Sequence, residues 1–426
     1  MSKIEQLIQQ LCPDGVEWRP VSEIFITKNG YTPSTSNATF WADGTIPWFR
    51  MEDIRENGRI LGNSLQKITS EAIKGGRLFP ANSIVVATSA TIGEHALITV
   101  PHLSNQRFTS LSLSDDFIAI LDMKFVFYYC FVLCEWCKNN TTTSSFASVD
   151  MDGFKKFQFP IPPLEIQQEI VAILDKFTAL EAELEAELEA RKKQYEFYRN
   201  ALLTFGTGKP HYSTKIEKLI QQLCPDGVEL KTLGDVGNFV RGNGLQKKEL
   251  TDVGIGAIHY GQIYTHYGVI ASETKSFVSP EFANRLRKAK NGDLIIATTS
   301  ENDDDVCKAV AWLGKEDIAI SGDAYIYTHS LEPKYVAYFF QSEAFQIQKI
   351  RHITGTKVKR VSGNSMAQFL IPEPPLEIQK EIVGILDKFD ALVNDISTGL
   401  PAEIAARRRQ YEYYREKLLT FKRKEV

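Results

Sequence analysis

Cysteine is scarce, with six residues in 426. That density excludes a disulfide scaffold. Cys130, Cys134 and Cys137 lie within an aromatic-rich run. They read as buried thiols on a helix rather than as a zinc site, which would want a fourth ligand and a polar setting. No apolar run reaches the ~18 residues of a membrane helix. The longest, Phe125–Cys134, is closed off by Lys124 and Glu135. Met1-Ser-Lys-Ile-Glu-Gln-Leu7 has no apolar signal core, so a cytoplasmic location is expected. Neither sign of charge dominates: 49 Lys and Arg stand against 53 Asp and Glu, for a net charge of −4.

Catalytic signatures are missing as well. No G-x-x-x-x-G-K-[ST] phosphate loop occurs, and Gly206-Thr-Gly-Lys-Pro210 lacks its spacing and final hydroxyl. No Asn-Pro-Pro-aromatic, G-x-S-x-G, H-E-x-x-H or paired C-x-x-C motif is found. Asp303-Asp-Asp305 reads as a solvated acidic turn, and Glu52-Asp53 is too common a pair to imply a nuclease. No metal or cofactor is expected on the chain itself. With 43% hydrophobic and 24% charged residues, the composition is that of a globular protein of two or three domains.

What is present is a repeat. Lys3–Glu17 recurs as Lys215–Glu229, with 14 of 15 positions identical at an offset of 212. The same offset relates Pro160-Ile-Pro-Pro-Leu-Glu-Ile-Gln-Gln-Glu-Ile-Val-Ala-Ile-Leu-Asp-Lys-Phe177 to Pro372–Phe389. Arg191–Arg199 matches Arg407–Arg415 at an offset of 216, and both copies run on to Leu-Leu-Thr-Phe. The chain divides into a short segment (1–17), a variable block (18–159) and a connector (160–214). A second segment (215–229), block (230–371) and connector (372–426) follow. The blocks show no convincing similarity beyond length. Near-identical connectors around unlike blocks suggest that the connectors bind one thing twice and the blocks bind different things.

The connectors are helical. Proline and then Glu165 or Glu377 mark the starts. Ile166, Ile170, Ile173, Phe177, Leu180 and Leu184 form a heptad seam, with a stutter at Leu188, that resumes at Tyr195, Tyr198, Leu202 and Phe205. A helix over about 164–203 spans roughly 60 Å. The second seam runs Ile378, Ile382, Ile385, Phe389, Leu392 and Ile396. It breaks near Gly399-Leu-Pro401 and resumes at Ile404, Tyr411, Tyr414, Leu418 and Phe421. Each seam needs a partner. Pairing of the two copies, preferably antiparallel, is the economical solution; packing on the chain's own block or on another subunit is the alternative. The Leu-Glu-Ala-Glu repeat over 180–190 reads as a solvated negative face.

The blocks are near neutral, with 13 basic and 13 acidic residues in 18–159 and 17 against 15 in 230–371. Nucleic-acid binding would need local clusters. The second block has Arg241-Gly-Asn-Gly-Leu-Gln-Lys-Lys248, Arg285–Lys290, and a run from Arg351 to Arg360 that mixes His352, Lys357 and Lys359 with small residues. The first has Thr27–Ser34, Trp48–Asp53 and Ser104–Phe108. Strand-like runs at 83–88, 96–100, 293–298 and 309–312 precede helical aromatic runs at 125–137 and 335–350. An α+β class with mixed or antiparallel sheets follows.

Taken together, the duplicated P-P-L-E-I-Q-x-E-I-V-x-I-L-D-K-F starts, the R-x-x-Q-Y-E-x-Y-R ends and the unlike blocks resemble the specificity subunits of type I restriction–modification systems. The resemblance covers essentially the full length, and Gly30-Tyr-Thr-Pro-Ser34, Ile46–Arg50 and Gly355–Arg360 add to it. It implies two target recognition domains separated by two long antiparallel helices in a coiled coil, with a pseudo-twofold internal repeat. It implies a non-catalytic subunit in which each domain reads half of a bipartite, asymmetric DNA target and the coiled coil sets the gap. The repeats would dock two adenine-N6 methyltransferase subunits, and through them two restriction subunits. S-adenosylmethionine would then sit on the first partner, and ATP and Mg on the second. DNA contacts are expected from Lys28, Asn29, Tyr31, Thr32, Arg50, Gln106 and Arg107, and from Arg241, Asn243, Gln246, Lys247, Lys248, Lys357, Lys359 and Arg360. Coiled-coil contacts are expected from Ile166, Ile170, Ile173, Phe177, Leu184, Tyr195, Tyr198, Ile378, Ile382, Ile385, Phe389, Tyr411 and Tyr414. A freestanding DNA-binding regulator, or an enzyme with an unfamiliar site, would be the other classes.

Overall fold

The computed structural model describes residues 3–142, 147–205 and 214–425. Gly206–Pro210 lies outside the described residues. The chain divides into two units, residues 1–183 with 405–426 and residues 184–404.

In the first unit, helix α1 (Lys3–Leu11) precedes the block. Glu17–Pro20 pairs antiparallel with Gln158–Ile161 at the block's two ends. Its strands are β1 (Phe25–Asn29), β2 (Ile46–Phe49), β3 (Ile60–Leu61), β4 (Ser83–Ala87), β5 (His95–Ile98), β6 (Leu103–Ser104) and β7 (Phe108–Leu113). Helix α2 (Met51–Asn57) follows β2, and α3 (Met123–Asn139) follows β7. The main sheet has the order β1-β7-β4-β5-β3. All its pairs are antiparallel except β3 with β5. A smaller sheet sets β2 between Lys67–Ile68 and β6. Every residue of β4 and β5 is buried, which explains their unbroken apolar runs. One face of the sheet (Ile84, Val86, Leu97, Leu111) packs on Phe125, Tyr129, Leu133 and the Cys130, Cys134 and Cys137 thiols of α3.

The second unit repeats this plan from a different sequence. Helix α4 (Leu164–Leu203) enters it, and α5 (Thr214–Leu223) precedes the block. The strands are β8 (Gly237–Arg241), β9 (Ile255–Ile258), β10 (Ile270–Ala271), β11 (Leu294–Ala297), β12 (Lys308–Trp312), β13 (Ile318–Ile320) and β14 (Ala324–His329). Helix α6 (Tyr260–Thr265) follows β9, and α7 (Pro333–Phe340) follows β14. The sheet order is β8-β14-β11-β12-β10, again with only the last pair parallel. The blocks therefore share one topology, although their sequences look unrelated. Strand pairing depends on which positions are buried, and many apolar residues satisfy that demand. One expectation changes: the aromatic run 335–350 is two helices, because Ser342 caps a second one over Glu343–Ile350.

The connector helices α4, α8 (Leu376–Asn394) and α9 (Leu400–Leu418) do two jobs. The N-terminal parts of α4 and α8 grip the block of their own unit. Buried Gln167 accepts from the Asp122 N–H at 2.8 Å and donates to the carbonyls of Ile120 (2.8 Å) and Pro162 (2.7 Å). Buried Gln379 accepts from the Glu332 N–H (2.8 Å) and donates to the Pro374 carbonyl (2.7 Å). Asp175 receives Tyr128 Oη at 2.7 Å and Lys124 Nζ at 2.6 Å; Asp387 receives Tyr338 Oη and Lys334 Nζ, each at 2.7 Å. Burial, reinforced by these carboxylates, holds both phenols protonated. Lys3 pairs with Glu169, and Lys215 with Glu381.

Farther along, the connectors meet each other. In the first unit Phe177 stacks on Tyr414 (5.5 Å) and approaches Tyr411 (6.3 Å), and Arg408 pairs with Glu181. As one helix advances the other retreats, so the pair is antiparallel. In the second unit Phe389 stacks on Tyr198 (5.3 Å) and Tyr195 (6.2 Å). The anticipated break is an ordered joint between α8 and α9. Asp395 accepts from the Ser397 and Thr398 N–H groups and hydroxyls. A Cβ on Gly399 would meet the Ala391 carbonyl oxygen at 2.5 Å.

Candidate nucleic-acid interface

Antiparallel register gathers the same three chain positions at one end of each main sheet. They are the last residue of the first strand (Asn29; Arg241), the cap of the helix after the second (Arg50; His259), and the residue before the last strand (Arg107; Asp323). The equivalence rests on matched backbone bonds. Gly30 N donates to the Phe108 carbonyl and Gly242 N to that of Ala324, each at 2.9 Å. Thr88 N donates to the Arg107 carbonyl (2.9 Å) and Thr298 N to that of Asp323 (3.1 Å). A Cβ on Gly30 would lie 2.2 Å from the Asn105 carbonyl oxygen, and one on Gly242 2.2 Å from that of Ser321. Only glycine lets the two loops close on each other there.

In the first block, Lys28 and Asn29 are exposed at the end of β1. Asn29 accepts from the Thr109 hydroxyl at 3.0 Å. Tyr31 is half-buried and anchors rather than projects: its hydroxyl donates to the Ala72 carbonyl (3.1 Å) and accepts from the Lys74 N–H (2.7 Å). Thr32 donates to Gln106. Arg50 occupies the N-cap position of α2, its backbone N–H donating to Asp53 at 2.6 Å, and its guanidinium lies 5.6 Å from the Trp48 ring. Gln106 and Arg107 are exposed on the loop before β7. All seven expected residues sit around this sheet end.

The second block is similar in place and different in chemistry. Arg241 donates through Nε to the Gly322 carbonyl (2.7 Å) and through Nη2 to Asp323 (3.4 Å). Asn243 uses both faces of its amide inside the fold, donating to the Arg285 carbonyl (2.9 Å) and accepting from the Arg287 N–H (2.7 Å). Gln246, Lys247 and Lys248 are exposed beside it. Lys359 and Arg360 pair as a short strand with Thr299–Ser300, just past the end of β11, and Lys357 is exposed in the preceding turn. Lys359 meets Asp303 at 3.2 Å, so the acidic triplet partly screens this stretch. A cavity of about 470 Å³ opens between Arg241, Lys247, His259, Tyr260 and Asp323. His259, Tyr260 and Asp323 escaped the sequence reading. Only topology identifies His259 as the counterpart of Arg50.

The expected coiled-coil residues divide between the two jobs. Ile166 and Ile170 are buried in the core of the first block, and Ile378 and Ile382 in that of the second. Phe177, Tyr411 and Tyr414 meet across the connectors, as do Tyr195, Tyr198 and Phe389. Ile173, Leu184 and Ile385 are half-buried. Among the described residues no group of three or more His, Cys, Asp or Glu could hold a metal ion, and no helix is long and apolar enough to cross a membrane.

Two recognition-type blocks on a duplicated helical frame define a DNA-specificity architecture, and comparison with known proteins agrees. The family described as "Type I restriction modification DNA specificity domain" matches residues 13–190 and 225–406. The chain belongs to that family, as a specificity subunit rather than an enzyme. It is 41% identical over 420 residues to the type I restriction enzyme EcoprrI specificity subunit of Escherichia coli, covering 93% of each chain. It is 32% identical to the EcoR124I/EcoR124II specificity subunit of the same organism, covering 71% of this chain and 72% of that one. A chain solved in work on complex assembly and conformational transition of the type I R-M system shares the fold. There the TM-score is 0.64 at 17% identity, covering 96% and 98% of the two chains.

Proposed function

We propose that each block reads one half of a bipartite, asymmetric DNA target and that the paired connectors set the unspecified gap between the halves. In this reading the duplicated segments dock two adenine-N6 methyltransferase subunits, and through them two restriction subunits, in the cytoplasm. S-adenosylmethionine belongs to the first partner, ATP and Mg to the second. The observation that carries the reading is one topology used twice with different residues at one sheet end: Asn29, Arg50 and Arg107 against Arg241, His259 and Asp323. Docking of two copies of one partner is supported by apolar residues left exposed at matched positions. Leu11 and Leu223 are 44% and 43% exposed, and Leu164 and Leu376 are 37% and 49% exposed.

Two experiments on the chain expressed with its methyltransferase test this. Replacing residues 18–159 by another family member's block should change one half-site in methylome sequencing. A change in both halves, or in neither, refutes modular reading. Inserting one Glu-Ala-Glu-Leu unit after Leu188 adds ~6 Å of helix, close to two base-pair rises of ~3.4 Å. The gap should lengthen with both half-sites kept, and an unchanged gap refutes the spacer role.

A further inference from the structure

The cavity of the second block is rich in donors. Arg241 is held twice along one edge of its guanidinium, by the Gly322 carbonyl and by Asp323. Its side chain is 57% exposed, so the ion pair adds little stability. Its effect is to fix a plane and leave the Nη1–Nη2 edge available. His259 accepts from the Gly261 N–H through Nδ1 at 3.2 Å. A neutral ring so bonded carries its proton on Nε2. Burial, with Lys247 nearby, keeps the ring neutral against the pull of Asp323. Lys247 supplies further donors, while the one acid lining the cavity is committed to Arg241.

In the major groove, guanine alone sets two acceptors, N7 and O6, side by side; adenine offers an acceptor and a donor. A phosphate could also meet a guanidinium edge. The Asp323 carboxylate beside the fork would repel it, and phosphate needs no such orientation. On the reading that the second block faces DNA, we propose that Arg241, oriented by Asp323 and Gly322, reads a guanine in that block's half-site. His259 is then a further specificity-determining donor next to it.

The test uses the chain assembled with its methyltransferase on target libraries randomised in both half-sites, at two salt concentrations. Asp323→Ala should lower guanine preference at one position about tenfold, and Arg241→Lys by at least as much. His259→Ala should relax an adjacent position, and the first block's half-site should stay unchanged. Asp323→Asn, which keeps the acceptor, should retain most of the preference; it also serves if the alanine variant unfolds. The inference falls if the second half-site contains no guanine, or if each preference stays within twofold. It falls equally if binding drops uniformly for all sequences with a shallower salt slope, the mark of a phosphate contact. Exchanging residues 230–371 as a whole separates the two levels. If that swap leaves the target unaltered, the reading of the block as a DNA reader fails. If it moves the half-site while the point variants do nothing, only the guanine assignment fails.

Discussion

The two blocks share strand order, capping positions and the glycine that closes the loops, yet differ at the residues on the sheet end. The first presents Asn29, Arg50 and Arg107; the second presents an arginine braced by an aspartate, with a histidine cap. A frame that fixes position while leaving chemistry open is what a reader of changeable sequences requires. The comparison extends to the cores. The first block buries His95 and His102, with pKa values lowered to about 3 and about 4. Burial is the main cause in both, with Arg59 adding to it at His95. The second block half-buries His329, lowered to about 4 by desolvation against the opposing pull of Asp293.

The largest expected difference between the blocks is therefore acid sensitivity. Each histidine is neutral in the fold and titrates near 6.5 when unfolded, so the unfolded state binds more protons. The stability they contribute is complete above about pH 6.5 and is lost as pH falls toward about 4. At pH 5 each of the two fully buried rings, His95 and His102, costs about 2 kcal/mol. That is about 4 kcal/mol for the first block; in the second, half-buried His329 and His259 act in the same direction and cost less. Hydrogen exchange at pH 7 and pH 5, corrected for intrinsic rates, should show β4 and β5 losing more protection than β11 and β12. Equal loss would break the contrast.

The next contrast lies in the connector starts. Gln167 satisfies three backbone groups, two of them in its block; Gln379 satisfies two, one of them in its block. Removing a buried partner leaves each such group unpaired, at about 1–3 kcal/mol apiece. Gln167→Ala should cost about 3 kcal/mol and Gln379→Ala about 2 kcal/mol in chemical unfolding. The reverse order would show that the extra bond to the Ile120 carbonyl contributes nothing.

These glutamines also show where sequence reading ends. The identity of I-Q-x-E-I-V-x-I-L-D-K-F in both copies suggested a shared external partner. Yet Gln167, Asp175, Gln379 and Asp387 are spent on each unit's own block, so part of the repetition is internal packing. The span of α4 and the break at Gly399 were legible because periodicity and helix breakers act locally. The common topology was not, because β3 and β10 have two residues each and pair with strands far along the chain. His259 was hidden for the same reason: a lone histidine at a strand end has no signature until its register is known.

The smallest contrast is between the two pairs of connector helices. At matched repeat positions the first unit has Glu181, paired across the helices with Arg408, and the second has Val393, buried at 2% exposure. Arg408 itself matches Lys192, which pairs with Glu189 on its own helix. The Arg408 side chain is 54% exposed, and exposed ion pairs contribute about 0–1 kcal/mol. Truncating a buried valine removes two methyl groups and leaves a small void, at about 1–2 kcal/mol. Val393→Ala should therefore destabilise the second unit more than Arg408→Ala destabilises the first, read as local exchange in α8 and in the second half of α9. Added salt should narrow the Arg408 effect and leave that of Val393 unchanged. If Arg408→Ala proves the costlier, the polar pair holds the first unit's helices in register, and the helix pairs of the two units are built on different principles.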